Sequence, residues 1–285
     1  MKLIDTHLHI WNLDKVAYPW LTPDLGILYQ NYEIDQMPTL MKEAQVSHTI
    51  LVQAANSLEE TDFMLLSARQ EDFVVGVVGW LPLLEPAQTA FFLEKYKQNP
   101  LFKGVRHLIH DEPNPYWLLQ ESVLESLKIL ADNQIPFDVV GILSEHLDCV
   151  KRIGEKLPHL RIVLDHLNHP RGTLTDKIMQ DWEKWLRIVA QHPNVFAKIS
   201  GLGTVVRRKS KNLSEDDIKP AIDLALETFG IERCLCGGDY PVSLLAEGYV
   251  RTWQMYQNVL NQLLSLPERE RLYWENANKF YNLAV

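Results

Sequence analysis

The chain has 285 residues, with 28 Lys and Arg against 37 Asp and Glu, and a formal net charge of −9 at pH 7. This acidic balance argues against a non-specific nucleic-acid binder, because the short basic run at 207–211 cannot supply the basic face that such a protein needs. No apolar stretch reaches the roughly 18 residues of a membrane span, and three cysteines cannot build a disulfide framework. We therefore expect a soluble protein of the reducing cytoplasm, with no nucleic-acid or membrane partner.

Short runs rich in Val, Ile and Phe alternate with segments of helical periodicity along the whole chain. Strands are predicted at Leu3–His9, Thr49–Ala54, Val74–Trp80, Lys103–Leu108, Phe137–Ile142, Arg161–His166, Val195–Ser200 and Cys234–Gly238. Helices between them are predicted at Leu58–Arg69, Val123–Asn133, Ser144–Glu155, Thr175–Gln191 and Glu215–Phe229. Several strands are almost entirely apolar, which is typical of a parallel sheet covered by helices. Eight such strands alternating with helices predict an α/β protein with a (β/α)8 TIM barrel.

A doubly wound open sheet is the alternative arrangement, but no Gly-x-Gly-x-x-Gly phosphate turn follows any predicted strand. No Gly- or Ser-rich linker divides the chain, so we expect one domain over residues 1–285. Beyond the eighth strand, the segment Ala246–Val285 indicates one or two closing helices, with Pro267 at the start of the last.

Ionisable residues gather at the ends of the predicted strands. His7 and His9 lie two residues apart on the first strand, so both side chains point to one face, which in a barrel is the interior. The fourth, sixth, seventh and eighth strands end with Arg106, His107, His166, Lys198 and Asp239. Such groups are costly to bury unless they pair or bind a ligand. Because barrel active sites lie at the carboxyl ends of the strands, the sequence predicts an active site there.

Several segments carry a family resemblance in order along the chain: DTHLHIW at 5–11, YPWL at 18–21, VQA at 52–54, GVRH at 104–107, VLDH at 163–166, KISGL at 198–202, GDYP at 238–241 and ENANKFY at 275–281. With them the chain resembles the amidohydrolase superfamily, specifically the branch that contains sugar-lactone hydrolases and 2-pyrone-4,6-dicarboxylate lactonase. The resemblance implies a TIM barrel of the metal-dependent-hydrolase type. It also implies a hydrolase that opens the lactone ring of a sugar acid or a related carboxylate.

Two departures from the superfamily bear on metal content. Its two-metal members carry a bridging Lys or Glu on strand four and a histidine on strand five. This chain has Arg106 and His107 on strand four and Asp138 on strand five. The ligands left for a single divalent ion, for which zinc is best suited, are His7, His9, His166 and Asp239. The resemblance to the pyrone lactonase implies equally that no metal is required. Since Arg106 and Lys198 would repel an ion, we expect at most one metal per chain and substantial activity without it.

Lactone hydrolysis requires an activated water, a polarised carbonyl group and a proton for the departing alkoxide. Asp239 is the predicted general base. The histidines expected around the water or the carbonyl are His7, His9 and His166. The predicted substrate-binding residues are Arg106, His107, Lys198, Gln53, Trp80 and Trp11. The histidines expected at the surface are His48, His146, His159 and His192.

The main alternative function is a metal-dependent decarboxylase, because relatives in the wider superfamily use a similar set of His-x-His, His and Asp. Such an enzyme would hold its metal firmly and release carbon dioxide. A non-catalytic binding barrel is less favoured because every expected catalytic position is present. The expected partner is a small-molecule lactone, whose identity depends on loops, and the sequence is compatible with a homo-oligomer.

Overall fold

Eight parallel strands form a single sheet in the computed structural model, which describes residues 2–170, 177–206 and 212–285. The strands are β1 (Ile4–Leu8), β2 (His48–Val52), β3 (Val74–Gly79), β4 (Phe102–His107), β5 (Phe137–Val139), β6 (Ile162–Leu164), β7 (Val195–Ile199) and β8 (Cys234–Cys236). Each strand pairs with the next along the chain, from β1 to β8. The predicted (β/α)8 barrel is confirmed, with each strand shorter than or close to its predicted range.

Helices cover the outside of the sheet. They are α1 (Met37–Glu43), α2 (Leu58–Ala68), α3 (Pro86–Tyr96), α4 (Glu121–Asp132), α5 (Ser144–Lys156), α6 (Lys177–Val189), α7 (Leu202–Val205), α8 (Glu215–Phe229), α9 (Tyr249–Leu263), α10 (Leu266–Glu270) and α11 (Asn276–Tyr281). The basic run at 207–211 and the first two residues of the predicted helix Thr175–Gln191 lie outside the described residues. None of the helices within the described ranges has both the length and the apolarity that crossing a lipid bilayer demands.

The turn after β8 closes the barrel against β1. The backbone N–H of Asp239 donates to the carbonyl oxygen of His7, and that of His9 donates to the carbonyl oxygen of Tyr240, both at 2.7 Å. Since β8 itself ends at Cys236, this closure is made by residues just beyond the strand. It brings Asp239, from the far end of the chain, directly beside the two histidines of β1.

The last helix, α11, seals the amino end of the barrel. Phe280 and Tyr281 are each 1% exposed and belong to an apolar cluster with Ile4 of β1 and Val78 of β3. The hydroxyl of Tyr281 donates to Asp138 Oδ2 at 2.8 Å inside the barrel. Of the closing helices predicted after β8, α11 therefore plugs one end, and the site occupies the other.

Candidate active site

His7, His9 and Asp239 converge at the carboxyl end of the barrel. Nε2 of His7 lies 3.1 Å from Nε2 of His9, as the alternation along β1 predicts. Oδ1 of Asp239 lies 3.8 Å from His7 Nε2 and 3.5 Å from His9 Nε2. The Nδ1–H of His9 donates to the carbonyl oxygen of Val52 at 2.7 Å, so Nε2 of that ring carries a lone pair directed at the site.

His166 completes this group from a left-handed turn after β6. His166 and the next three residues all have φ between +53° and +56°, a region that non-glycine residues seldom adopt. The turn brings His166 Nε2 to 3.9 Å from Asp239 Oδ1, while Nδ1 lies 2.9 Å from the hydroxyl of Ser200. A Cβ at Gly201 would lie 2.5 Å from His166 Nδ1 and 2.8 Å from Asp239 Oδ2, so only glycine fits beneath the pair.

Asp239 is an ionised carboxylate in spite of its burial. Its residue is 2% exposed, and burial alone would raise the pKa of the carboxyl group. The positive electrostatic contribution of His166, with smaller contributions from His9 and His7, outweighs burial and holds the pKa below its ordinary value of 3.8. Asp239 is therefore in the protonation state that a general base needs at neutral pH.

A second group of charges lies deeper in the barrel. Nζ of Lys198 lies 2.6 Å from Asp138 Oδ2 and 2.8 Å from Asp165 Oδ1, and Arg106 Nη1 lies 3.1 Å from Asp165 Oδ2. The two cations and two carboxylates balance each other, and all four residues are at most 3% exposed. The argument that Arg106 and Lys198 would repel a divalent ion is therefore wrong, because their charges are already neutralised.

Asp5 of the opening motif fastens β1 to the turn that carries Asp239. One carboxylate oxygen accepts from the backbone N–H groups of His7 at 2.9 Å and Gly238 at 2.8 Å. The other oxygen accepts from the hydroxyl of Tyr249 at 2.8 Å. Burial raises the pKa of Asp5 to about 6, although these hydrogen bonds lower it in part. The role of Asp5 is to hold the histidines and Asp239 in register.

A cavity of about 270 Å³ opens above these groups, and its base is lined by His9, Arg106, His166 and Asp239. Trp11 and Trp20 form one wall, with ring centroids 5.5 Å apart and nearly perpendicular planes. Their indole N–H groups donate to the backbone carbonyls of Gln30 and Ala54. Trp11 is 0% exposed, so the partly exposed Trp20 presents the apolar surface and Trp11 supports it.

The rest of the cavity lining is mixed. Ala54, Leu108, Val140 and Val242 are apolar, and the polar wall consists of His110, Asp111, His169 and Thr204. Trp11 and Arg106, both predicted to bind substrate, belong to the cavity lining, although Trp11 is 0% exposed. Substrate binding by these two residues stays a prediction. Sequence reasoning missed His110 and His169, which lie three residues beyond His107 and His166, the last polar positions at the ends of β4 and β6. A search for polar residues in the turn after each strand, as well as at the strand end itself, would have found both.

Four predicted substrate-binding residues lie behind the cavity wall and support it. Gln53 accepts two hydrogen bonds from Arg106. Arg106 Nε donates to Gln53 Oε1 at 3.2 Å, and Arg106 Nη2 donates to the backbone carbonyl oxygen of Gln53. Lys198 is fully buried among carboxylates. The direct substrate contact predicted for these two residues does not agree with their placement, because their polar atoms are used inside the barrel.

His107 and Trp80 are the other two of the four. The indole N–H of Trp80 donates to His107 Nδ1 at 3.0 Å, so the ring proton sits on Nε2 and is donated to Glu112 Oε1 at 2.8 Å. The His107 ring also stacks on Trp117, with centroids 4.0 Å apart. His107 therefore anchors the loop after β4 instead of facing the cavity. The expected surface position of His146 is also wrong, since that residue is 2% exposed.

The donor atoms at the base of the cavity are spaced for a single divalent ion. Ligand atoms of His7, His166 and Asp239 all lie within 4.8 Å of one another. Tetrahedral ligands at zinc distances lie roughly 3.4 Å apart, close to the 3.5 to 3.9 Å that separate Asp239 Oδ1 from the three histidines. This donor set fits one ion, held by His7, His166 and Asp239 with His9 alongside.

Comparison with known proteins identifies the family. The sequence profile of the amidohydrolase family matches residues 4–283, so the chain belongs to that family. An L-fucono-1,5-lactonase from Burkholderia multivorans is 30% identical over 98% of this chain and 96% of its own length. An L-fucono-1,5-lactonase from Burkholderia ambifaria is 28% identical over 98% of this chain and 95% of its own length.

A solved structure supports the same assignment. An amidohydrolase from Burkholderia multivorans with bound HEPES superposes with a TM-score of 0.90 at 29% identity, covering 99% of this chain and 100% of the other. A crystal of the amidohydrolase in another space group contains bound zinc and superposes with a TM-score of 0.89 at 28% identity, again covering 99% and 100% of the two chains. The barrel and its closing helices therefore have a close structural counterpart along the whole chain.

Proposed function

We propose that this protein hydrolyses the lactone ring of a sugar acid or a related carboxylate, with Asp239 as general base. The observation that carries the proposal is an ionised carboxylate at the base of the cavity, with the Nε2 atoms of three histidines within 3.9 Å of it. The similarity to two L-fucono-1,5-lactonases supports a lactone as the substrate.

In the proposed reaction, Asp239 takes a proton from a water molecule as the water oxygen attacks the lactone carbonyl carbon. The carbon becomes tetrahedral, and its former carbonyl oxygen becomes an oxyanion. When the bond to the ring oxygen breaks, the protonated Asp239 returns its proton to that leaving oxygen. The product is a single hydroxy acid, and its atoms are those of the lactone plus one water molecule.

The oxyanion needs hydrogen-bond donors at the base of the cavity. Arg106 reaches the cavity with a guanidinium group held by Asp165 and Gln53, and His166 lies beside it. A preorganised donor aimed at a developing oxyanion typically lowers the barrier by about 3–4 kcal/mol. A divalent ion bound by His7, His166 and Asp239 would add Lewis-acid polarisation and a more acidic water.

The two walls of the cavity suit a sugar-like ring. Trp20 offers apolar surface for the C–H face of such a ring, and the polar lining residues His110, Asp111 and Thr204 are available to its hydroxyl groups. A planar dicarboxylate would bring two negative charges next to Asp111 and Asp239. Because the polar lining can bond to hydroxyl groups and the two carboxylates would repel a dicarboxylate, the cavity favours a hydroxylated, uncharged lactone.

The test is a screen of purified protein against L-fuconolactone, L-rhamnonolactone, other aldonolactones, muconolactones and 2-pyrone-4,6-dicarboxylate, with acid release followed by a pH indicator. We expect turnover of at least one aldonolactone. Carbon dioxide release from an aromatic acid without hydrolysis of any lactone would favour the decarboxylase alternative. Hydrolysis confined to the dicarboxylate would contradict the argument from the cavity walls.

A further inference from the structure

We infer that Glu60 is a positioning residue that holds Trp20 in the wall of the cavity, acting through two peptide groups of the loop between β2 and α2. Glu60 lies in the first turn of α2 and does not line the cavity itself. The consequence for substrate binding rests on the proposed function, whereas the position of Trp20 does not.

The first observation is that the carboxyl group of Glu60 holds two successive backbone N–H groups. Glu60 is 0% exposed, and a buried carboxyl group is costly unless it is hydrogen-bonded. Its Oε2 accepts from the N–H of Ala55 at 2.6 Å and of Ala54 at 3.0 Å, and its Oε1 accepts from Ala54 at 2.8 Å. Burial raises the pKa of Glu60 to about 8, although the two N–H groups, Arg106 and Tyr18 lower it in part. A neutral carboxyl group keeps one unprotonated oxygen, so Oε2 can accept from both N–H groups near pH 7.

The second observation is that the Glu60 side chain is not used to cap α2. In the usual capping box, a Glu at the third helical position accepts from the backbone N–H of the cap residue. Here the cap residue Ser57 donates that N–H to the carbonyl oxygen of Ala55 at 2.9 Å, and its hydroxyl accepts from the N–H of Glu60 at 3.1 Å. The Glu60 carboxyl group reaches past the cap to the loop that precedes it.

The two peptide groups connect this carboxyl group to the cavity. A trans peptide is planar and its N–H and C=O point in opposite directions, so fixing the N–H also fixes the C=O. The peptide that carries the N–H of Ala55 has its C=O on Ala54, and that oxygen accepts from the indole N–H of Trp20 at 2.6 Å. The preceding peptide has its C=O on Gln53, and that oxygen accepts from Nη2 of Arg106. Each peptide group is therefore bonded to α2 on one side and to a cavity residue on the other.

Trp20 depends on this arrangement more than Arg106 does. Arg106 is also held by Asp165 at 3.1 Å and by the side chain of Gln53 at 3.2 Å. The direction of the Trp20 indole is set by its hydrogen bond to the loop, and its ring contact is the edge of Trp11, with centroids 5.5 Å apart. Loss of the acceptor on α2 should therefore move Trp20 and leave Arg106 in place. The expected kinetic result is a higher KM with little change in kcat.

The first test follows the indole N–H signals of the eight Trp residues by NMR, with Trp20→Phe and Trp11→Phe assigning two of them. Glu60→Leu fills a similar space without an acceptor, whereas Glu60→Gln keeps an amide oxygen that can accept from both N–H groups. In Glu60→Leu, we expect the Trp20 signal to move upfield and its hydrogen exchange to speed up by about fivefold or more, as for the loss of one hydrogen bond. In Glu60→Gln it should stay near its wild-type position. The Trp11 signal should stay in both variants, because its indole donates to Gln30.

Glu59→Leu is the matched control, because Glu59 is an exposed carboxylate in the same turn of α2. It should leave the Trp20 signal unchanged. Glu60→Asp keeps a carboxyl group but is one methylene shorter, so it takes the place of Glu60→Leu if that variant does not fold. An unchanged Trp20 signal in the folded variant, or equal shifts of the Trp20 and Trp11 signals, would overturn the inference.

The second test is steady-state hydrolysis of an aldonolactone identified in the screen. Glu60→Leu should raise KM by about threefold or more while kcat stays within about threefold of wild type, and Glu60→Gln and Glu59→Leu should keep both values. A fall in kcat at unchanged KM would overturn the inference. A moved Trp20 signal with unchanged kinetics would contradict the proposed substrate contact of Trp20 and support its positioning by Glu60. If no lactone is hydrolysed, the proposed function fails and the NMR comparison still decides whether Glu60 positions Trp20.

Discussion

Replacement of Asp239 by asparagine tests the proposed mechanism most directly. Asparagine has nearly the same shape and tolerates the left-handed backbone that Asp239 adopts at φ +54°, so the turn after β8 should keep its hydrogen bond to His7. The amide cannot accept a proton from water. The variant therefore removes the base and preserves the fold.

The expected loss follows from the contribution of a general base. Such a group typically contributes 10²- to 10⁴-fold, so kcat should fall by at least about 100-fold, or about 2.7 kcal/mol in the activation barrier. The His7, His9 and His166 rings remain in place, because Lys198, Val52 and Ser200 contact them independently of the Asp239 side chain.

The assay is steady-state hydrolysis of an aldonolactone identified in the screen, with circular dichroism as the check on folding. Both wild type and variant are assayed before and after prolonged chelation, because loss of a metal ligand would otherwise resemble loss of the base. Asp111→Asn provides a contrast, since it removes a carboxylate from the polar wall of the same cavity and should alter KM more than kcat. An Asp239→Asn variant that folds and retains more than a tenth of wild-type kcat would refute the assignment of the base.

Three further predictions concern binding, metal and stability. Arg106→Lys keeps the charge but loses the planar fork that bonds to Asp165 and Gln53, so kcat/KM should fall by about tenfold or more, and an unchanged value would contradict the model. Elemental analysis should find at most one divalent ion per chain, because the donor atoms of His7, His166 and Asp239 form one site. Substantial lactonase activity should survive chelation, because the Asp239 base and the Arg106 donor act without an ion; near-complete loss of rate that zinc or manganese restores would contradict this. Burial raises the pKa of Glu60 from 4.5 to about 8, so the folded protein retains a proton that the unfolded chain releases. The free energy of unfolding should therefore fall between pH 4.5 and 8, by at most about 1.4 kcal/mol per pH unit from this group, and chemical denaturation of Glu60→Gln should show a flatter profile.

The strands and their order could be predicted from the sequence because their cause is local. Apolar runs such as Ile162–Leu164 must be covered on both faces, and alternation along β1 alone places His7 and His9 on one side. The position of the site followed from the same reasoning, since polar groups that directly follow buried strands meet at one end of a parallel barrel.

The roles of the ionisable residues depended on contacts between distant parts of the chain. Arg106 and Lys198 looked like free cations at strand ends, and only the tertiary structure shows that Asp138 and Asp165 neutralise them. His107 looked like a ligand-facing residue, yet the indole of Trp80 and the carboxylate of Glu112 use both of its nitrogens.

The sequence by itself determined the barrel, the family resemblance and the set of groups at its carboxyl end, because hydrophobic periodicity and residue order are local properties. The tertiary structure decided which of those groups reach the cavity and which pair with each other behind its wall. The physical reason is that the charge and hydrogen bonding of a buried group depend on every neighbour within a few ångströms, and here the neighbours of His7 come from four different strands or strand ends.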